Sequence, residues 1–254
     1  RDAARVVLVT GDEWTDPQHV ATQVAGAVSG GPADPEWLSV WQAADKAASG
    51  AVDRVTGPGW PTGAHAARDV VAALPDGVAL FLGSSNAVRF VDFLAPTGYR
   101  TVLANRGVAG IDGSVSTAAG IALGSERPCC ALLGDLTFLH DVNGLLLGPD
   151  EQRPDLTVVV LNDDGGGIFA LLEQGAPEHA GSFERVFGTP TGADLGALCA
   201  GYRVPYTLVS ERDELAAALA PADGPRVVEI RVGRTGLRDW QAELFAAVRA
   251  AVPG

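Results

Sequence analysis

The 254 residues are 47% hydrophobic and only 19% charged, which supplies a sizeable core and excludes a disordered chain. The net charge of −13 argues against nucleic acid or an anionic membrane surface as the main partner, because both reward clustered Lys and Arg. No run of about 18 apolar residues and no basic-then-apolar secretory start occurs, and Cys129, Cys130 and Cys199 have neither metal nor disulfide spacing, so the expectation is a soluble protein of the reducing cytoplasm.

Arg5-Val-Val-Leu-Val-Thr10 reads as a buried strand and Gln18 to Val28 as a short helix, followed by the breaker-rich Gly30 to Pro35. One strand and one helix cannot bury their own faces, so residues 1–30 read as the tail of a preceding domain. Residues 31–59 read as a linker and a connecting helix, the helix covering Trp37 to Val55 and ending at Gly57-Pro58-Gly59. Helix signals follow at His65 to Leu74, Asn86 to Leu94, Ser114 to Leu123, Phe138 to Leu147, Ala193 to Ala200, Glu211 to Leu219 and Leu237 to Val252. Between them lie apolar runs at Val78 to Leu82, Arg100 to Ala104, Cys129 to Leu133, Leu156 to Leu161, Val204 to Val209 and Val227 to Val232. Strands that are apolar throughout, alternating with helices, predict an α/β fold in residues 60–254: a parallel sheet covered on both faces. Ligands of such sheets bind outside the carboxyl ends of the strands.

Two of those ends carry chemistry. The run Cys129 to Leu133 leads into Gly134-Asp135, and Leu156 to Leu161 leads into Asn162-Asp163-Asp164-Gly165-Gly166-Gly167. Each segment alone can be a helix N-cap or a solvated turn. Together, on two strands separated by one helix, they can deliver oxygen side chains and a backbone carbonyl to one hard cation. Mg2+ takes such ligands in an octahedron and completes it with phosphate oxygens and water.

Gly134-Asp135, about 26 residues and then Asn162-Asp163 resembles the thiamine diphosphate motif of the decarboxylase and acetolactate synthase superfamily, Gly-Asp-Gly then Asn-Asn, with Leu136 and Asp163 as departures. Asn105 to Gly113, Ser116 to Gly120, Gly134 to Thr137 and Gly165 to Leu172 resemble more narrowly the 2-succinyl-5-enolpyruvyl-6-hydroxy-3-cyclohexene-1-carboxylate synthases of menaquinone biosynthesis, in which Leu after Gly-Asp is ordinary. The likeness runs from about Trp37 to the C-terminus, making residues 60–254 the diphosphate-binding domain and 1–30 the end of the central domain.

The resemblance implies a transferase that decarboxylates 2-oxoglutarate and adds the resulting carbanion to isochorismate. It makes Asp135, Asp163 and the Gly165 carbonyl the ligands of Mg2+, with Mn2+ as the alternative. Gly134, Leu136 and Thr137 would then lie against the diphosphate. Asp163 is chosen over Asn162 because it stands two residues before the first glycine, as the family's metal-binding side chain does. Ile111 matches the bulky apolar residue that bends the cofactor, its alternative being an ordinary core position.

Ser85, Arg89 and Arg106 would bind the substrate carboxylates, for which Arg gives bidentate pairing. Ile168, Phe169 and Leu172 would be either core or an apolar wall against the ring of isochorismate. His140 reads as structural, and His19, His65 and His179 show no partner pattern.

No catalytic residue is assigned within the chain, because in this superfamily a glutamate of a separate pyrimidine-binding domain, from a neighbouring subunit, activates the cofactor. That arrangement implies at least a dimer. With no Met anywhere, the chain is expected to be a C-terminal fragment or one piece of a split enzyme, with little turnover alone. The alternatives are another thiamine diphosphate-dependent ligase or decarboxylase, such as an acetolactate-forming enzyme, or a non-catalytic cofactor-binding module.

Overall fold

The structure, a computed structural model, describes residues 7–9, 20–27, 29–32, 34–57, 59–95, 98, 100–220 and 223–252. The chain divides into two compact units, residues 1–47 and 48–254.

In the first unit, strands β1 (Val7–Val9) and β2 (Gln23–Ala25) pair in parallel, Val7 opposite Gln23 and Val9 opposite Ala25. The expected helix over Gln18 to Val28 is therefore wrong across Gln23–Ala25, while Gln18, His19 and Val28 lie outside the described residues, as do Arg5, Val6 and Thr10. The reason is visible in side-chain type. Val20, Thr22 and Val24 put β-branched residues at a spacing of two, which suits a strand face. Helix α1 (Pro35–Thr56), whose residues from Ala48 onward belong to the second unit, starts with Pro at its first position, where its missing N–H is no loss. Asp34 Oδ1 caps it by accepting the N–H groups of Glu36 and Trp37 at 2.9 and 3.3 Å.

The second unit is built on α2 (Gly63–Ala73), β3 (Ala79–Leu82), α3 (Asn86–Leu94), β4 (Val102–Leu103), α4 (Ser114–Ser125), β5 (Cys129–Gly134), α5 (Asp135–His140) and β6 (Leu156–Asn162). After three short 3-10 turns between Gly167 and His179 come α6 (Ala180–Phe183), a single π turn over Glu184–Gly188, α7 (Leu195–Tyr202), β7 (Tyr206–Val209), α8 (Leu215–Ala218), β8 (Arg226–Arg231) and α9 (Leu237–Ala251). The six strands β3 to β8 form one sheet in the order β4-β3-β5-β6-β8-β7, parallel throughout.

Alternation along each strand divides the core. Leu80, Leu82, Cys130, Leu132, Val159, Leu161, Val228 and Ile230 pack with α2, α3 and α8 on one face. Phe81, Ala131, Leu133, Val158, Val160 and Val227 pack with α4, α5 and α7 on the other. Burial pushes the thiols of Cys129 and Cys130 up to about 12, so neither is a nucleophile at neutral pH.

Several expected boundaries move for local reasons. The helix expected over Phe138 to Leu147 instead begins at Asp135 and ends at His140, with a 3-10 turn at Val142–Leu145. Asp141 breaks it, because its carboxylate accepts the Ser116 N–H and hydroxyl at 2.7 and 3.1 Å. The strand expected from Val204 starts at Tyr206, since Pro205 has no N–H to give a ladder. Arg100 to Ala104 contracts to the two residues of β4 at the sheet edge. Among the described residues, no helix is long and apolar enough to cross a membrane.

Candidate functional site

From β3 the chain moves outward to β4, then returns past β3 to β5 and continues to β6 on the far side. The carboxyl ends of β3 and β5 therefore flank a topological switch point, where open parallel sheets bind ligands. A cavity of about 600 Å³ lies there. Its walls come from the segments that follow β3, β4, β5, β6 and β8, together with the start of α2. Every residue assigned above to metal, cofactor or substrate lines it: Ser85, Arg89, Arg106, Ile111, Gly134, Asp135, Leu136, Thr137, Asp163, Gly165, Ile168, Phe169 and Leu172.

β5 passes into α5 with no loop between Gly134 and Asp135. Asp135 is thereby set at the sheet edge and is 2% exposed, and neither carboxylate oxygen makes a hydrogen bond of good geometry, although the Asp163 carboxyl and the backbone of Asp135, Gly165 and Leu136 lie close enough to favour its charged form. Leu136 and Thr137 fall in the first turn of α5, whose N–H groups have no helical carbonyl before them.

At the end of β6, Asn162 turns away from the cavity. Its Nδ2 donates to Glu229 Oε1 at 2.9 Å, and its Oδ1 accepts the Asp164 N–H at 2.9 Å. Asp163 faces Asp135 instead. Burial, followed by the negative charge of Asp135, raises the Asp163 carboxyl to about 7, with the Arg234 guanidinium pulling the other way. Burial raises Asp135 as well.

The glycines that follow are required by contact. Gly165 sits at φ +145, where a Cβ would run into the Gly188 carbonyl, and a Cβ on Gly167 would run into Asp163 Oδ2.

These residues suit a hard cation bound with phosphate. A buried carboxylate without a partner is costly, and a divalent cation between Asp135 and Asp163 would supply the missing partner. Among the described residues, no group of three or more His, Cys, Asp or Glu side chains converges. The protein's share of such a shell would be two carboxylates and a carbonyl, with the remainder from phosphate and water.

Arg89 and Arg106 are the cations of the cavity, and among the described residues neither has a carboxylate partner. Arg89 Nη1 donates to the Ser85 carbonyl at 2.7 Å, which ties the guanidinium to the entrance of α3. Ser85 itself sits at φ 79 and ψ −136, a region that glycine alone adopts without strain. Ile111 is half-buried in the loop before α4, and Ile168 and Phe169 are half-buried on the 3-10 turn Gly167–Leu171. Leu172 is 42% exposed, so its core reading does not hold.

Three features escaped the sequence reading. Arg234 donates to the carbonyls of Asp163 and Asp164 and pairs with Glu184, locking the glycine loop to the π turn. Asn162 is held by the buried Glu229 rather than facing the cavity. His65, for which no partner pattern was seen, is buried on the cavity wall with both ring nitrogens engaged. Its Nε2 donates to the Gly57 carbonyl at 2.9 Å, and its Nδ1 shares a 2.6 Å hydrogen bond with the Thr62 hydroxyl that also caps α2. The spacing Thr62-x-x-His65 was the available signal. His140 lies 3.6 Å from Asp112 and outside the cavity lining.

Residues 82–230 match the family model described as thiamine pyrophosphate enzyme, C-terminal TPP binding domain. Among curated proteins, the 2-succinyl-5-enolpyruvyl-6-hydroxy-3-cyclohexene-1-carboxylate synthases of Saccharopolyspora erythraea and Nocardia farcinica are 57% and 53% identical to the chain over 248 and 251 residues. Each alignment takes in 96% of the chain and 45% of the relative, so the chain spans less than half the length of these proteins. Among solved structures, the benzoylformate decarboxylase of Polynucleobacter necessarius shares the fold, with a TM-score of 0.57 at 24% identity over 72% of this chain and 34% of that one. The thiamine diphosphate-dependent 4-hydroxybenzoylformate decarboxylase of Rhodococcus jostii gives 0.56 at 21% identity over 68% and 32%.

Proposed function

This chain belongs to the thiamine pyrophosphate enzymes through their C-terminal TPP-binding domain, and we propose that it is the metal- and diphosphate-binding part of a cytoplasmic 2-succinyl-5-enolpyruvyl-6-hydroxy-3-cyclohexene-1-carboxylate synthase. The single observation that carries the metal site is the buried, unpartnered carboxylate of Asp135 beside Asp163. The named synthases, more than 50% identical over nearly the whole chain, support the choice of reaction.

On this reading Asp135, Asp163 and the Gly165 carbonyl hold Mg2+ or Mn2+. Gly134 lets the chain pass close to the diphosphate, which receives the N–H groups of Leu136 and Thr137. Ile111 supports the bent form of the cofactor. The bound cofactor supplies the carbanion chemistry of decarboxylation and carbon–carbon bond formation.

The chain's own contribution is positioning and charge. Arg89 and Arg106 neutralise the carboxylates of 2-oxoglutarate and isochorismate, and Ser85 adds a hydroxyl beside Arg89. Ile168, Phe169 and Leu172 form an apolar wall that excludes water from the second substrate. The complete site takes its activating glutamate from a pyrimidine-binding domain of a neighbouring subunit, which makes the working enzyme at least a dimer.

The test is calorimetry of thiamine diphosphate with and without Mg2+, on the wild type and on Asp135→Asn. Binding that needs Mg2+ in the wild type and is lost in the variant is expected. Equal binding with and without metal would sink the reading and leave a scaffold. Substrate comparison separates this synthase from an acetolactate-forming enzyme, since pyruvate lacks the second carboxylate that the two arginines are placed to receive.

A further inference from the structure

Glu229 lies in the middle of β8, opposite Val160 of β6 and Leu208 of β7, and is 1% exposed. A carboxylate inside a parallel sheet is destabilising unless it is fully paired, and an apolar residue of similar volume is often the more stable choice. Its presence therefore calls for a reason. Three strands contribute donors: Tyr206 Oη to Oε2 at 2.6 Å, Arg231 Nε to Oε1 at 2.8 Å and Asn162 Nδ2 to Oε1 at 2.9 Å.

Of these bonds, the one from Asn162 leads toward the cavity. The other end of the same amide accepts the Asp164 N–H at 2.9 Å, and Asp164 Oδ1 in turn accepts the N–H groups of Thr191 and Gly192, each at 2.9 Å. A continuous line of hydrogen bonds thus runs from the sheet interior to both ends of the excursion between Gly165 and Thr189. Asn162 continues the face of Val158 and Val160, which packs against α4 and α7. Pinning it there keeps its amide off the cavity, while the next side chain, Asp163, lines the cavity beside Asp135.

We propose that Glu229, acting through Asn162, is a positioning residue of the metal half-site: the pair fixes the rotation of the chain at the end of β6, so that Asp163 and the Gly165 backbone meet the cation. The proposal rests on the metal-diphosphate reading given above. It also assigns the two residues at the motif separate tasks, Asp163 as ligand and Asn162 as the group that aims it.

The test measures Mn2+ affinity in the presence of thiamine diphosphate, by electron paramagnetic resonance and calorimetry on the purified full chain. Asn162→Ala removes both ends of the bridge and is expected to weaken Mn2+ about 10- to 100-fold, the usual effect of losing a group that orients a ligand. The cofactor-free protein should still fold, with a melting temperature lowered because Glu229 loses one of its three donors. Glu229→Leu is expected to match that loss, and the double variant to lose no more than either single one. Glu229→Gln keeps an acceptor for Asn162 and Arg231 and should stay close to wild type.

Wild-type Mn2+ affinity in Asn162→Ala, or losses that multiply in the double variant, would overturn the proposal while leaving the metal site standing. A wild type with no metal-dependent binding would bring down both. If Glu229→Leu fails to fold, Asn162→Ala against Glu229→Gln still decides.

Discussion

Asp135, buried, and Asp163, half-buried, show how two carboxylates can be brought together on one cavity wall. Asp163 is raised to about 7 from an ordinary 3.8, so the folded protein holds this proton more tightly than the unfolded chain does. The contribution to stability is complete at low pH and is lost as pH rises through about 7. Cofactor-free protein is therefore expected to melt lower at pH 8 than at pH 5, by a difference on the order of 2 kcal/mol or about 4–8 °C. The Asp135→Asn variant should flatten this dependence, because it removes the charge that opposes ionisation of Asp163. Mg2+ with thiamine diphosphate should raise the melting temperature more at pH 8 than at pH 5, where the metal must displace a proton; differential scanning calorimetry at the two pH values measures both effects. Two neighbouring residues extend the argument. Gly167→Ala drives a Cβ into Asp163 Oδ2 and should reduce metal affinity at least tenfold, by calorimetry, while the protein still folds. Ser85→Gly relieves the backbone at φ 79 and should raise stability by about 1 kcal/mol in thermal melts while weakening 2-oxoglutarate binding, a trade expected of strain held at a functional site.

The element that depends most on long-range ties is the excursion from Asp163 to Gly192, made of 3-10 turns, α6 and one π turn. Asp164 closes its base, Arg234 joins its two arms, and Arg238 of α9 donates to the carbonyls of Ala170 and Leu172. Phe169 meets Phe187 across it with ring centroids 5.7 Å apart. Arg238→Ala frees two carbonyls of the turn that carries the apolar wall. Faster hydrogen exchange is expected over residues 166–176, with a raised KM for isochorismate and little change in diphosphate affinity; unchanged exchange there would refute this role for Arg238. The excursion was not legible in the sequence because its order comes from arginines 50 to 71 residues downstream of their partners, and no local period encodes such contacts. The sheet was legible, since its interior strands are mostly apolar, β3 and β5 without interruption and β6 and β8 broken only by Thr157 and Glu229. Gln23–Ala25 was misread for the opposite reason: the segment is short and polar, and a pattern of Val, Thr and Val at alternate positions was outweighed by a loose helical one. Asn162 and Asp163 were adjacent candidates of nearly equal chemistry. What separates them is Glu229, 67 residues away in the chain and adjacent in the sheet.

At the scale of the whole molecule, one sheet edge gathers cations and carboxylates for opposite tasks. The chain carries 31 acidic and 18 basic residues, yet the cavity presents two arginines without carboxylate partners among the described residues and two aspartates that face each other. The aspartates suit a metal, and the arginines suit carboxylates. The described lining contains no glutamate and no carboxylate other than these two aspartates. Asp135 and Asp163 would be poor activating bases with Mg2+ bound, because the charge of the cation lowers the basicity of a coordinated carboxylate. Among the described residues the cavity therefore has the parts suited to a metal diphosphate and two anions, and Asp135 and Asp163 are the only carboxylates of its lining. A polypeptide of these 254 residues alone is expected to bind thiamine diphosphate in an Mg2+-dependent way and to turn over at least about 100-fold more slowly than when a pyrimidine-binding domain is supplied, since a positioned general base contributes about 10²–10⁴ in rate. Steady-state assay of decarboxylation and product formation, run with and without that domain, measures the difference, and full synthase turnover by the chain alone would show that the base lies within it.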